Sequence, residues 1–354
     1  MSEKSNDSRP SRLKEAAEQL FGERVTDISA PGGEGRSSLR LHMESRDVIG
    51  TLRPNFRRTH LEAHVLTELG KHCDDVPRCL GVVGEIMFQS DVGQNRLNVE
   101  IAGCTTRRRV DLADDAVAAI FRIQAAARKT GLHAIMPHLG ANADWVAHLV
   151  NSVSVLEDFG PGISRSFDRN AAANRIAATG VQFVKWDCRS GNAAIDHADK
   201  LRWFDFEYAG VRHGAEDFAW LIGDEAWPLD GKIMLDLVQD NFDPGCGHSR
   251  DDYFDFLSAY VALHCVQRIK LVINEARKHG WKSKGHVRAQ DDAGVHPEFV
   301  AHVAEVGGFF AARSPATASL QRNFEATAAH FRSMVAEAEA ELARKSAKRS
   351  MAKA

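Results

Sequence analysis

The sequence lacks the features that mark several large classes of protein. Its six cysteines are scattered and form no CxxC pair, so we expect reduced thiols rather than a disulfide framework or a zinc site. No apolar run reaches membrane-spanning length, and the polar N-terminus has no apolar signal core. The formal net charge is only -3, which gives no general attraction to nucleic acid or to an anionic membrane. We therefore expect a soluble cytoplasmic protein without nucleic-acid or membrane partners.

Several familiar catalytic motifs are missing as well. The chain contains no GxSxG elbow, no HExxH pair and no GxxxxGKS/T phosphate loop, so the usual signatures of α/β-hydrolases, zinc peptidases and P-loop nucleotidases are absent. The sixteen histidines are dispersed, and His264, within the apolar run VALHC, has the pattern of a packed core residue. No internal repeat is present, so a solenoid is not expected.

The chain does contain a β-rich first quarter followed by a long helical remainder. At 354 residues it exceeds the usual size of a single core, so two lobes are expected. Apolar runs separated by short polar turns predict an antiparallel meander, then one helix and two further strands. The predicted strands are 24–29, 37–43, 46–53, 80–85 and 86–91, and the predicted helix is 56–70.

Helical periodicity dominates from about residue 114 onward. Helices are predicted at 114–131, 143–160 and 169–180 and throughout the chain beyond about 215, with two short strands at 181–186 and 201–207. The result is an α+β chain, whose ends are predicted to be disordered. Its predicted parts are a lead-in at 1–12, a β-rich lobe at 13–95, a helical lobe at 96–343 and a basic tail at 344–354.

One segment, FVKWDCRSGN at 183–192, breaks the strand pattern. It begins like a buried strand but places Lys185 and Asp187 where a core would be apolar, and Asn192 follows Asp187 by five positions. Thirteen residues after Asn192, the second strand ends in WFDFE with Asp205. We predict that these side chains meet at the ends of two adjacent short strands. Carboxylate and amide oxygens are hard ligands that suit magnesium, and phosphoryl transfer uses this set.

The order DxxxxN followed by DFE resembles the aminoglycoside phosphotransferase family of small-molecule kinases, which has a protein-kinase-like fold. That family carries HGDxxxxN, a DFE-like triplet and an Asp at the start of the next helix. The corresponding stretches here are KWDCRSGN, DFE and EDFAW, with Asp217 at the last site. The resemblance extends over about residues 20–340 and is specific across 183–222. It implies two lobes: a β-rich nucleotide-binding lobe with one packed helix, and a mainly helical lobe with the catalytic loop and the acceptor site.

The resemblance also implies roles for single residues. Asp187 would be the catalytic base, and Asn192 and Asp205 would bind Mg²⁺. Asp217 would support the catalytic loop, a role that is compatible with a plain helix N-cap. The implied cofactors are ATP and Mg²⁺, and the implied partner is a small molecule that offers a hydroxyl group. Either a monomer or a homodimer fits this prediction.

Two residues of the segment depart from the family pattern. Lys185 stands where the family has His, and Trp186 stands where it has Gly. Lys185 is a catalytic candidate that would place an ammonium near the transferred phosphate, or pair with Asp187 or Asp205. The alternative for Lys185 is a side chain that extends to solvent from the strand end. Arg189 is a further catalytic candidate that would neutralise phosphate charge, unless it is simply an exposed loop cation.

Other candidates come from the β-rich lobe. The family needs a basic residue on the third strand paired with a helix Glu, and Arg53 with Glu62 is the candidate pair. Arg replaces the expected Lys here, and the two cations differ in geometry. The alternative for Glu62 is an ordinary surface acid of the helix.

The turn GGEGRSS is the candidate phosphate-binding loop. Its residues Gly33, Gly35 and Ser37 would present backbone N–H groups to phosphates, although a plain hairpin turn has the same composition. The segment FQSDVG at 88–93, which includes Asp91, resembles the link between the lobes, where backbone groups would meet adenine.

The acceptor is suggested by an acidic stretch at 224–255, which holds nine acids against two bases. In the resembled family the helices after DFE line the acceptor pocket, so an acidic wall would favour a cationic acceptor such as an amino sugar or an amino alcohol. A solvated helical face is the alternative. The nine acids are Asp224, Glu225, Asp230, Asp236, Asp240, Asp243, Asp251, Asp252 and Asp255.

The predicted function is ATP- and Mg²⁺-dependent phosphorylation of a hydroxyl on a small molecule. The alternative is a catalytically weak or inactive nucleotide-binding pseudokinase that acts through protein contacts, which Lys185 and Arg53 favour. A purely helical scaffold protein would leave the tandem acids without a role.

Overall fold

The computed structural model describes residues 8–31, 33, 36–140, 142–177, 180–290 and 293–351, with side chains as far as 345. The chain divides into two compact units, and each unit is assembled from separate stretches. The first comprises Met1–Leu139, Gly180–Asp217 and Asp240–Cys246, and the second comprises Gly140–Thr179, Phe218–Gln239 and Gly247–Ala354.

A five-stranded antiparallel sheet forms the start of the first unit. Its order is β1-β2-β3-β5-β4, so all but the last two strands follow chain order. The predicted meander with one helix between its third and fourth strands is confirmed, as is the α+β class. The elements are α1 Arg9–Phe21, β1 Val25–Ser29, β2 Ser38–Met43, β3 Asp47–Leu52, α2 Phe56–Leu69, β4 Cys79–Val83 and β5 Ile86–Ser90.

One face of this sheet is apolar, because alternate residues of a strand point to the same side. Leu39 and Leu41 of β2, Val48 of β3 and Phe88 of β5 pack with Leu13 of α1 in one buried cluster. Burial of such side chains contributes roughly 25 cal/mol for each Å² of apolar surface removed from water. This cluster therefore anchors α1 on the sheet.

The other face of the sheet is polar. Arg40 of β2 pairs with Ile49 of β3, which pairs in turn with Gln89 of β5. Arg40, Gln89 and Thr51 of β3 are all buried, although polar side chains are costly to bury unless they are hydrogen-bonded. Arg53 follows directly after β3, so this polar strand delivers a predicted site residue.

The rest of the first unit contains short strands around the KWDCRSGN segment. β7 pairs with β10, while β6, β8 and β9 form a separate three-stranded sheet in the order β6-β8-β9. The further elements are β6 Asn95–Arg96, α3 Leu97–Gly103, α4 Thr106–Thr130, α5 Leu132–Ile135, β7 Gln182–Val184, a 3₁₀ helix Ser190–Asn192, β8 Ala193–Ile195, β9 Leu201–Trp203, β10 Gly210–Arg212 and a 3₁₀ helix Pro244–Cys246.

The predicted adjacency of the two strands before Asp187 and Asp205 is wrong, because β7 and β9 belong to different sheets. The reason is a tight turn in which Asp196 Oδ1 accepts the N–H groups of Ala198 at 2.9 Å and Lys200 at 3.0 Å. An Asp side chain stabilises a turn in this way, and here it closes β8 and β9 into a hairpin. Strands of three residues are too short for their alternation to be recognised in a sequence.

The second unit is helical, as predicted for the chain beyond about 215. Helix α10 has the length and composition of a membrane-spanning helix, contrary to the expectation that no segment would, but 83% of its most apolar window is buried in the protein, as in a core helix. The elements are α6 Ala143–Asn151, a 3₁₀ helix Ser152–Asp158, α7 Arg169–Ala177, α8 Glu216–Ile222, α9 Gly231–Asp240, α10 Arg250–His279, α11 Lys284–Gln290, α12 Pro297–Ala311, a 3₁₀ helix Ala318–Leu320 and α13 Gln321–Met351; α8 begins in the last residues of the first unit.

Both predicted disordered ends are too long. Helix α1 begins at Arg9, with Pro in its first turn, where Pro fits a helix because its missing N–H needs no partner. At the other end α13 continues to Met351 rather than ending at 343. Ala, Arg and Lys make up five of the eight residues at 344–351, and all three favour helix.

Candidate active site

The candidate site is built around the turn that follows β7. Trp186 and Asp187 both adopt positive φ angles, +60° and +50°. This left-handed conformation costs an ordinary L-residue roughly 1–2 kcal/mol, whereas Gly adopts it freely. Trp186 occupies the position where the resembled family has Gly, so this chain keeps a strained bulky residue at that point.

Asp217 holds the strained turn from behind. Its carboxylate accepts the backbone N–H of Lys185 at 2.9 Å and the backbone N–H of Trp186 at 2.8 Å, and Gln124 Nε2 lies 3.4 Å away. Burial raises the pKa of Asp217 to about 6, although these hydrogen bonds act in the opposite direction. Both carboxylate oxygens are therefore used to fix the turn, which goes beyond a plain N-cap of α8.

Two neighbours orient the carboxylate of Asp187. Arg189 Nε donates to Asp187 Oδ1 at 2.8 Å, and Asn192 Nδ2 donates to Asp187 Oδ2 at 3.0 Å and to the Asp187 carbonyl oxygen at 2.9 Å. Since the amide nitrogen of Asn192 is turned toward Asp187, its Oδ1 points the other way. The loop therefore brings the predicted base, the predicted amide ligand and Arg189 together.

Lys185 does not extend to solvent, because it is only 1% exposed. Its Nζ donates to the carbonyl oxygen of Asp187 at 3.3 Å and lies 5.3 Å from the ring centre of Phe206 and 5.9 Å from that of Trp203. Its Nζ forms no salt bridge with a described carboxylate, although its charge acts to lower the pKa of the buried Asp217 carboxyl. The sequence alternatives for Lys185, an ion pair or an exposed side chain, are therefore not what the structure contains.

Arg53 and Glu62 form the expected contact. Arg53 Nη2 lies 2.5 Å from Glu62 Oε2, and Glu62 is buried on α2, so it is not a surface acid. The same nitrogen donates to Asp205 Oδ1 at 2.8 Å, and Arg53 Nη1 lies 3.2 Å from Glu207 Oε1. Glu62 Oε1 also accepts the N–H of Phe206 at 2.9 Å, which ties α2 to the DFE triplet.

This cluster holds an excess of negative charge. Arg53, whose side chain is 8% exposed, contacts three carboxylates. Among the described residues, the one further cation in contact is Arg58, which is exposed and lies 3.5 Å from Glu207. Burial raises the pKa values of both Glu62 and Glu207. Burial lowers the pKa of Arg53, but the surrounding carboxylates outweigh burial and raise it overall. A cluster of this composition favours a further cation.

The residues present fit a magnesium ion. Asp205 Oδ2 and Asn192 Oδ1 have no partner in the described part of the chain, and both are hard oxygen donors of the kind that Mg²⁺ prefers. The N–H of Phe204 donates to the carbonyl oxygen of Asn192 at 2.9 Å, so the segments that carry the two residues are joined. Asp205 adopts a φ of +65°, a strained conformation of the kind found at functional sites.

The predicted phosphate-binding loop is only partly described. Gly33 has a φ of +95°, which requires Gly, but its N–H donates to the carbonyl oxygen of Ala30 at 3.0 Å and so already has an acceptor. Ser37 is held to the sheet because its carbonyl accepts the N–H of Leu52 at 3.1 Å. Gly35 lies outside the described residues.

Asp91 is held by the protein itself. Its carboxylate accepts from Arg40 Nε at 2.5 Å and from Arg40 Nη2 at 3.0 Å. It also accepts the N–H of Gly93 at 2.9 Å. The carboxylate therefore stabilises the 91–93 segment, whose backbone groups were predicted to meet adenine.

Sequence reasoning missed Arg40 and Glu207. Glu207 is the last residue of the DFE triplet, so the motif that identified Asp205 already contained it. Arg40 stands between Leu39 and Leu41 in a strand. An arginine at the alternate position of an otherwise apolar strand was the available signal.

The acidic stretch at 224–255 is largely neutralised within each unit. Most of its members have a basic partner: Arg268 for Glu225, Lys232 for Asp236, Arg128 for Asp243, and Arg175 for Asp252 and Asp255. Asp230 accepts the N–H of Ile233 at 2.9 Å in the first turn of α9. The charge available to attract a cationic acceptor is therefore smaller than the composition suggested.

No protein-family model matches the chain, and no curated protein matches it by sequence. Solved structures do match over most of its length. An aminoglycoside phosphotransferase from Alicyclobacillus acidocaldarius is 13% identical with a TM-score of 0.52, and the match covers 85% of this chain and 93% of that one. A choline/ethanolamine kinase family protein from Mesorhizobium loti is 12% identical with a TM-score of 0.51, covering 91% and 99%.

A third match is the spectinomycin phosphotransferase APH(9)-Ia, which was solved with ADP and spectinomycin. It is 7% identical with a TM-score of 0.52, and the match covers 79% of this chain and 93% of that one. Identities this low establish a shared fold and leave the reaction to be argued from the site. The chain has the protein-kinase-like fold of the aminoglycoside phosphotransferase family of small-molecule kinases.

Proposed function

We propose that the protein is a phosphotransferase that moves a phosphoryl group from ATP to a hydroxyl of a small molecule, with Mg²⁺ as the metal ion. The observation that carries the proposal is the excess of carboxylates around the buried Arg53 side chain, joined by the Phe204–Asn192 hydrogen bond to the loop of Asp187. Phosphoryl transfer depends mainly on positioning and on charge neutralisation. The matched small-molecule phosphotransferases and kinases support the same reaction class.

Each residue has a role that follows from its contacts. Asp187, oriented by Asn192 and Arg189, would accept the proton of the attacking hydroxyl. Arg189 would release Asp187 and turn to the phosphate when the acceptor arrives. Arg53, held by Glu62, would contact the nucleotide phosphates.

Asn192 Oδ1 and the carboxylate of Asp205 would hold the metal ion. When bound, Mg²⁺ would neutralise phosphate charge. Asp205 Oδ1 lies 2.8 Å from Arg53 Nη2, so Asp205 Oδ2 would be the atom left for the metal.

Asp187→Asn is the primary test. Loss of the proton acceptor should lower transfer by roughly 10²–10⁴-fold, while the thermal midpoint stays near that of the unaltered protein. The matched control is Asp111→Asn, which changes an exposed acid of α4 in the same unit and should leave turnover unchanged. An Asp187→Asn protein with full turnover would exclude the proposal.

The acceptor proposed is a cationic hydroxyl compound, either an amino sugar or an amino alcohol. Two observations support a cationic acceptor. Some acids, such as Asp240 and Asp251, have no basic partner in the described part of the chain. The matched structures are named for aminoglycosides, spectinomycin and choline or ethanolamine. A panel of cationic, neutral and anionic alcohols tests it. Phosphorylation of neutral or anionic compounds alone would remove the cationic preference.

A nucleotide-binding pseudokinase is the second candidate function. It is favoured by the contacts of Arg53, because both of its terminal nitrogens already lie against carboxylates. Thermal shifts with ATP and Mg²⁺, followed by ATP consumption against the acceptor panel, separate the two functions. Binding without turnover across the panel would favour the pseudokinase.

A further inference from the structure

We propose that Lys185 is a positioning residue that fixes the carbonyl group of Asp187 and, through it, the amide of Asn192. The kinetic part of this inference rests on the proposed function, whereas its structural part does not. Lys185 would act through its neighbours and would not touch the transferred phosphate, because its ammonium is directed to a backbone oxygen and two aromatic rings.

The burial of Lys185 makes its charge costly to the folded state, and attraction to the buried Asp217 carboxylate offsets part of that cost. A Lys side chain that is 1% exposed loses most of its hydration, and an ammonium has three N–H donors to satisfy. Only one hydrogen-bond acceptor is found for it among the described residues, the Asp187 carbonyl at 3.3 Å. An apolar residue of similar length would bury the same stem without that cost, and such replacements of buried charges are often neutral or stabilising.

The carbonyl oxygen of Asp187 is where the contacts of Lys185 and Asn192 meet. It accepts from Lys185 Nζ at 3.3 Å and from Asn192 Nδ2 at 2.9 Å. Asp187 has a φ of +50°, so the peptide that follows it is held in a conformation that the chain does not prefer. Two donors on one oxygen fix that peptide and keep the nitrogen of Asn192 turned inward, which leaves Asn192 Oδ1 for a metal ion.

Lys185 also joins the turn to the DFE triplet. Its ammonium lies 5.3 Å from the ring centre of Phe206, within the range of a cation–π contact. The N–H of Phe206 donates to Glu62 at 2.9 Å, and Glu62 holds Arg53. A substitution of Lys185 is therefore expected to affect both Asp187 with Asn192 and the acidic cluster around Arg53.

The experiment compares Lys185→Met, Lys185→His and Lys200→Met. Met keeps the length and packing of the stem and removes the donor, whereas His restores a donor and a ring. Lys200→Met is the control, because Lys200 is an exposed lysine just before β9 and its side chain has no partner among the described residues. Two quantities are measured: steady-state kinetics, and hydrogen exchange of the Asn192 and Phe204 amides without ligands.

Lys185→Met should lower kcat by roughly 10- to 100-fold, the range seen when groups that orient metal ligands are removed, with a much smaller change in the KM for ATP. The Asn192 amide donates to the Arg189 carbonyl within the loop, and the Phe204 amide donates to the Asn192 carbonyl of the loop. Exchange at both amides should become faster at an unchanged thermal midpoint. Lys185→His should recover much of both quantities, and Lys200→Met should change neither.

Wild-type kcat and wild-type exchange in Lys185→Met would overturn the inference. A large fall in thermal midpoint that His does not reverse would also overturn it, because the role would then be plain packing. If the unaltered protein consumes no nucleotide with any acceptor, the proposed function fails instead. The exchange rates of the three variants then still decide whether Lys185 positions the loop.

Discussion

Two buried arginines in different units of the protein show how charge balance separates a structural pair from a candidate site. In the second unit Arg268 faces one carboxylate, with its Nε and Nη2 each 2.7 Å from Glu225 Oε1. In the first unit Arg53 faces Glu62, Asp205 and Glu207. Both arginines are nearly inaccessible to solvent, so burial alone does not distinguish them.

The two groups differ in net charge. The Arg268–Glu225 pair has one positive and one negative charge and is neutral as a pair, as buried ion pairs generally are in cores. The Arg53 group has three acids against two cations, Arg53 and the more exposed Arg58, and burial raises the pKa values of Glu62 and Glu207. An unbalanced buried group is maintained at a cost to folding, and such imbalance is a physical reason to look for a ligand there.

Removing the guanidinium of each arginine is expected to give the largest change in stability. Arg53→Met and Arg268→Met should each destabilise their unit by about 3–5 kcal/mol, because each leaves buried carboxylate without its partner. Millimolar Mg²⁺ should recover part of the loss for Arg53→Met, since the three acids can take up a cation, and none of it for Arg268→Met. Thermal denaturation in Mg²⁺ and in EDTA checks this, and an equal Mg²⁺ response in both variants would remove the distinction between the two arginines.

The next largest expected effect is a pH dependence of stability that comes from the buried Asp217. Asp217 has an ordinary pKa of 3.8 when unfolded and about 6 when folded, so the folded protein binds this proton more tightly. The stabilisation from protonation is therefore present below pH 3.8 and is lost as the pH rises through 6. The total change is about 3 kcal/mol, from a shift of about two pKa units at roughly 1.4 kcal/mol each.

Asp217→Asn is the variant that isolates this effect. Its stability relative to the unaltered protein should rise between pH 4 and pH 7, because it has no carboxyl to ionise in the core. Urea denaturation at several pH values measures it. A constant difference between the two proteins across that range would contradict the raised pKa.

The smallest expected effect concerns Trp186. Replacement by Gly relieves the left-handed conformation but adds freedom to the unfolded chain and removes a half-buried side chain, so the free energy of unfolding should change by no more than about 1 kcal/mol. Trp186→Val should be clearly worse, because a β-branched residue tolerates positive φ least. Equal stability of the Gly and Val variants would show that the backbone at this position relaxes easily.

Much of the fold could be predicted because its signals are local. The meander of β1, β2 and β3 and the apolar stripe of α2 appear in the sequence as regular periodicity, and their bounds differ from the prediction by one or two residues. The pairing of β7 with β10 could not be predicted, because three-residue strands carry no periodic signal and their partners are chosen by tertiary contacts. Helix α4 begins at Thr106, eight residues before the predicted start at 114, since its first two turns are highly charged.

The sequence predicted which residues belong to the candidate site, but it did not predict the contacts that they make. Spacing placed Asp187, Asn192 and Asp205 in one motif. It did not indicate that Lys185 is buried, since Lys is rarely buried and the sequence favours an exposed one. Nor did it indicate that Arg53 would contact Asp205 across 152 positions of the chain, because such long-range pairs leave no trace in local composition.

The positive φ angles of Trp186 and Asp187 bear on how proteins like this one are recognised in genomes. A search pattern that requires His-Gly-Asp rejects this chain at two of its three letters, and no family model matches it. The backbone turn and the Asp217 carboxylate that accepts two of its N–H groups are nevertheless present. A pattern written as a left-handed pair of residues, fixed by a buried acid some thirty positions later, would detect chains of this kind whichever side chains they carry at the turn.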